Sequence, residues 1–166
     1  MTRTGTGLKL GVADELPFID ELDATIEAPS GAVFEAVCRR IGRGFGGAAG
    51  RAFTAVIGCA DRGNSFTIPP APGQEVNGFR VARVLEPREL ILEGQHRFAS
   101  YRLSFFIESL DADRSRLRAR TEAAFPGITG SLYRGLVIGS GAHAFIVKQM
   151  LGSVASMAAP GRAARG

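Results

Sequence analysis

The chain has 166 residues, of which 45% are hydrophobic and 22% charged, with a formal net charge of +4. That length suits one domain with a real core, and that composition excludes a disordered chain. Two cysteines, Cys38 and Cys59, exclude a disulfide framework, and two histidines, His96 and His143, are too few to suggest a metal centre or a metal cofactor.

The positive charge is almost all arginine, since Lys9 and Lys148 are the only lysines. The basic residues are scattered, and the one dense group, Arg114, Arg116, Arg118 and Arg120, alternates along a predicted strand. Without interleaved exposed aromatics this pattern does not mark a nucleic-acid partner. The first residues lack an apolar leader segment, and the longest soft stretch, Gly135 to Val147, is too short to span a membrane. The expected setting is cytoplasmic and reducing, with both cysteines as buried free thiols.

Residues 1–17 read as a flexible arm without a clear period. From Ile19 to Ala28, Leu22, Ala24 and Ile26 alternate with Asp23, Thr25 and Glu27, which predicts a half-buried strand. Ala28-Pro29 ends it. Ser30 is then a predicted N-cap, and Val33, Phe34, Val37, Cys38 and Ile41 place a short helix over Gly31 to Ile41. A second short helix is expected from Arg51 to Ile57. Between them, Gly42-Arg43-Gly44-Phe45-Gly46-Gly47 fits GxGxxG, but it follows a helix rather than a strand and no parallel crossover comes after it. It reads as a connection, with no dinucleotide or other cofactor implied.

Asn64 to Ile68 is a short strand candidate, broken by Pro69, Pro70, Pro72 and Gly73. Four strands follow with little between them: Phe79 to Leu85, Glu89 to Gln95, Ala99 to Ser109 and Ser115 to Phe125. Connections this short make antiparallel neighbours. On the third, Tyr101, Leu103, Phe105 and Ile107 share a face; on the fourth, Leu117, Ala119, Thr121, Ala123 and Phe125 do. Pro126-Gly127 ends the sheet. Thr129 to Met157 then reads as one long amphipathic helix, with Leu132, Leu136, Gly139, His143, Ile146, Val147, Met150, Val154 and Met157 on its apolar side. Residues 158–166 read as a disordered tail, which leaves 18–157 as the folded domain. Strands and helices are segregated, so the fold class is α+β: a curved antiparallel sheet wrapped around a long C-terminal helix.

This order resembles the helix-grip superfamily, which includes START domains, the birch-pollen-allergen-like proteins and the bacterial polyketide cyclase/dehydratase and lipid-transport (SRPBCC) proteins. The resemblance covers Ile19 to Met157. It rests on Ala28-Pro29-Ser30 followed by Val33-Phe34, on Gly78-Phe79-Arg80-Val81 with Leu85-Glu86-Pro87 and Leu90, and on the closing helix. It is similar within that group to an uncharacterised bacterial branch through Glu93-Gly94-Gln95-His96-Arg97-Phe98, Phe125-Pro126-Gly127 and Tyr133-Arg134.

The resemblance implies a hydrophobic cavity between the concave sheet face and the last helix, and a lipid, isoprenoid or polyketide-like ligand. Phe79, Tyr101, Leu103, Phe105, Thr121, Leu136, Gly139, His143, Ile146 and Met150 would line it. The larger apolar set favours Tyr101 inward; the opposite register would instead bring in Arg102 and Arg120. His143 either contacts a ligand, as an orienting group or acid–base, or is a core histidine. His96, at a strand junction, reads as solvated.

The leading expectation is a carrier or sensor of an apolar small molecule. One alternative is a cyclase/dehydratase-like enzyme with His143 and Tyr101 as catalytic groups. The other is a protein-interaction module, such as a homodimer, using Ile138 and Phe145 on the back of the last helix. No G-x-S-x-G, Walker A or H-E-x-x-H pattern occurs.

Overall fold

The computed structural model describes residues 16–44, 65–76, 78–96, 99–127, 135 and 141–159, without the side chains of residues 96, 142 and 143. The predicted helix at 51–57, Cys59, Ile138 and the second half of the Gly42–Gly47 motif lie outside these residues.

The chain opens with β1 (Phe18–Ile26), whose inward apolar side chains are Leu22, Ala24 and Ile26. Helix α1 (Ser30–Gly42) follows after one tight connection. Ser30 is its first helical residue and not its N-cap, which corrects the expectation from sequence. Pro29 holds that place with φ −59° and ψ 150°, and no side chain caps the helix. Its ring sets φ, and its carbonyl accepts the first helical bond, from Val33 N at 3.1 Å. Arg39 and Arg40 occupy the last turn, where cations oppose the helix dipole.

Residues 65–68 are not a strand, another correction. Polar side chains take over the bonds that a ladder would use: Glu75 N donates to Ser65 Oγ (2.9 Å), and the Gln74 carboxamide bonds Thr67 and Ala71. The strand here is the two-residue β2 (Glu75–Val76). Then come β3 (Phe79–Leu85), β4 (Glu89–His96), β5 (Ala99–Ser109) and β6 (Ser115–Ala124). All pairs are antiparallel, in the order β1-β6-β5-β4-β3-β2. The meander closes when β1 returns to pair with β6.

The last helix, α2, spans Ala142–Ala158. Gly141 precedes it with φ +73°, a left-handed conformation that no α-helix continues through. The single helix expected from Thr129 is therefore interrupted. Side-chain periodicity runs across Gly141 without registering its backbone. The buried stripe is accordingly Val147, Met150, Leu151, Val154 and Ala158, while Ile146 is 47% exposed and Phe145 62%. Helix α2 packs on α1, β1 and β6, and α1 also meets β5 and β6. Val33, Phe34, Val37 and Ile41 of α1 join the α2 stripe and the inward strand residues in one continuous core.

Candidate functional site

Residues directly opposite in an antiparallel pair share a face, so the register sorts the inward positions into rows. One row runs Ala24, Leu117, Ile107. The next runs Leu22, Ala119, Phe105, Leu90, Val84. A third runs Asp20, Thr121, Leu103, Leu92, Val81. The last runs Ala123, Tyr101, Gly94. Phe105, Leu90, Leu92, Leu117 and Ala119 have no exposure, and Leu103 and Thr121 have 6% each.

The opposite, convex face carries the charges. Arg102 bridges Glu93 (2.7 Å) and Glu122 (3.5 Å), and Arg120 also reaches Glu122 (2.9 Å). Arg118 pairs with Glu21 and Arg116 with Glu108, each at 3.7 Å. Arg114 sits in the β5–β6 turn on Asp111 (2.7 Å), and that hydrogen bond holds the Asp111 carboxyl below its usual range. The arginine alternation noted in the sequence is thus one side of a cross-strand ladder of ion pairs. Arg102 faces outward and Tyr101 inward.

Tyr101 does not stand upright from its strand. Its hydroxyl donates to Gly78 O at 2.8 Å, across β4. The ring lies over Gly94, where an added Cβ would come within 2.3 Å of the ring and 2.5 Å of Gly78 O. Phe79 meets it edge-on, with centroids 4.9 Å apart and planes at 78°. Gly94 was not a sequence candidate. Its one signal was a glycine inside a strand pattern, the usual mark of close approach by another group.

Asp20 was missed as well. It pairs with Thr121 in the same register as Leu22 with Ala119, which puts a carboxylate on the inward face. One of its oxygens is buried. Its parity with Leu22 was the available signal.

Of the sequence candidates, Phe79, Tyr101, Leu103, Phe105 and Thr121 come together on the concave face. Met150 lies in the core, 2% exposed. Ile146 is exposed. His143 occupies the first turn of α2 and His96 ends β4. Leu136 and Gly139 lie outside the described residues. Among the described residues no group of acidic, histidine or cysteine side chains could hold a metal, and no helix is long and apolar enough to cross a membrane.

A separate pocket of about 230 Å³ opens between α1 and two loops, lined by Gly31, Phe34, Glu35, Cys38, Ile68, Pro69 and Glu86. Cys38 is its sealed floor. Burial, with smaller contributions from Glu86 and Glu35, pushes the thiol up to about 12.

No protein-family profile matches the sequence, and no curated protein matches it. Solved structures do. A START superfamily protein from Mycobacterium smegmatis aligns over 84% of this chain and 99% of its own, with TM-score 0.50 and 12% identity. Protein CV1439 from Chromobacterium violaceum aligns over 86% and 97%, with TM-score 0.52 and 10% identity. The Zhui aromatase/cyclase from Streptomyces sp. R1128 aligns over 84% and 92%, with TM-score 0.47 and 18% identity. Together with the element order and register, the two likenesses at TM-scores of 0.50 and 0.52 define the fold. The chain has the α+β helix-grip fold of START-like proteins, with a six-stranded antiparallel sheet and its C-terminal helix packed on the sheet.

Proposed function

We propose that this protein binds a hydrophobic small molecule, of lipid, isoprenoid or polyketide type, between the concave sheet face and the C-terminal helix. One observation carries the reading. The inward face is apolar through Leu90, Leu92, Leu103 and Phe105, while Asp20 and Thr121 stand at the β1–β6 side of the Leu103 row and Tyr101 in the row next to it. An apolar wall with a few polar groups at one end suits a molecule with an apolar body and one polar function. The helix-grip fold supports the same reading. Tyr101 serves here as a wall, because its hydroxyl proton is used on Gly78 O.

Native mass spectrometry of freshly purified protein tests this. A co-purified lipid-sized mass, displaceable by the neutral dye Nile red, is the expected result. Bare protein that also fails to raise Nile red fluorescence would sink the proposal.

A further inference from the structure

We infer that the pocket beside α1 binds a small organic cation, an ammonium group on an apolar body, with Glu35 and Glu86 holding the charge. This site is separate from the concave face and does not depend on the binding role proposed above.

Three elements build the pocket. Gly31, Phe34, Glu35 and Cys38 share one face of α1, at the spacing that stacks side chains along a helix. Ile68 and Pro69 supply a second wall, and Glu86, in the turn between β3 and β4, a third. The loop wall is braced. Thr67 Oγ1 donates to Pro69 O at 2.9 Å, and the Gln74 carboxamide ties Thr67 to Ala71. The turn is held by Arg88 N donating to Leu85 O. The space therefore exists before any ligand arrives, which lowers the ordering cost of binding. At about 230 Å³ it suits a ligand below drug size.

Two features mark this space as more than a packing gap. Gly31 puts no side chain into it, and a Cβ there would meet no atom within 4 Å. Ile68 stands 49% exposed in the lining. Charge then chooses the occupant. Glu35 and Glu86 are the charged groups of the lining, and both are acidic. Their field reaches the pocket floor: burial is the main cause that raises the Cys38 thiol, and the Glu86 and Glu35 charges add to it. The N-terminus of α1 opposes them with only about half a positive charge. Glu35 already attracts one cation, Arg39, at 3.3 Å. That pair is 44% and 54% exposed, so a competing cation displaces it at little cost.

The test is a calorimetric titration of the full chain with three probes of one shape: phenethylammonium, phenethyl alcohol and phenylacetate. The ammonium should bind about tenfold more tightly than the alcohol, the gain from two exposed ion pairs, and phenylacetate should bind least. Combining Glu35→Gln with Glu86→Gln should bring the ammonium and the alcohol to the same affinity. Gly31→Met fills the space with a flexible side chain and should abolish binding of both. It should melt no lower than wild type, because it also removes a helical glycine. If Gly31→Met does not fold, the paired Gln variant still decides. Equal wild-type affinity for the ammonium and the alcohol would overturn the cation site. So would ammonium binding that survives in folded Gly31→Met, or wild-type protein that binds no ammonium at millimolar concentration.

Discussion

The two ends of the concave face are built from the same kind of strand yet solve different problems. At one end Phe105 sits between Leu90 and Ala119, and α1 and α2 complete a core in which every large side chain meets another. At the other, Tyr101 covers a glycine, spends its hydroxyl on a backbone carbonyl and remains half-buried. The first arrangement fills space. The second defines an edge, with directional contacts in place of bulk. Packing energy belongs to the first end and directional bonding to the second.

The largest effect should come from emptying the filled end. Phe105→Ala should destabilise folding by about 3–5 kcal/mol in denaturant melts, the usual range for a buried aromatic truncation. A loss of less than about 1 kcal/mol in Phe105→Ala would erase the contrast between the two ends.

The dryness of the α1 side has its own signature. The Cys38 thiol ionises at about 12 in the folded chain and at 9.0 ordinarily. Above pH 9.0 the unfolded chain loses this proton while the folded chain keeps it. Stability is therefore full below 9.0 and falls as pH rises toward 12. In a Cys59→Ser background, Cys38→Ala should flatten that decline, and native Cys38 should resist alkylation at pH 8 until the protein unfolds. Rapid alkylation of folded protein would show that the side is wet.

Gly94→Ala should cost about 1–3 kcal/mol, as for an overpacked site, because the ring has to move. Tyr101→Phe removes one hydrogen bond and should cost about 0.5–1.5 kcal/mol. A larger loss in Tyr101→Phe than in Gly94→Ala would mean that the hydroxyl, and not the missing Cβ, holds the ring in place. The smallest effect belongs to the convex face. Arg116 and Glu108 are 47% and 58% exposed at 3.7 Å, so Arg116→Ala should change stability by under about 1 kcal/mol and ligand rank not at all.

Much of the fold was legible in the chain. Alternation located β3 and β5 to the residue, because an inward face must be apolar at every second position. Helix α1 was found within a residue or so at each end. Its capping was misread, since Ser30 satisfies the compositional rule while Pro29 satisfies the backbone. The candidate site was legible in half. Tyr101, Leu103, Phe105 and Thr121 follow from alternation alone. Gly94 does not, because what matters there is an atom that is missing beneath a neighbour on another strand.

The sequence by itself determined which residues turn inward, how the strands connect and that helices and strands segregate. These are local or periodic properties of one chain segment at a time. Tertiary structure decided that Gly141 interrupts the closing helix, that Asp20 stands opposite Thr121, and that Tyr101 lies down rather than stands. Each of these depends on a dihedral angle or a cross-strand distance. Periodicity records the direction of a side chain, but neither the path of its backbone nor the carbonyl it finally meets.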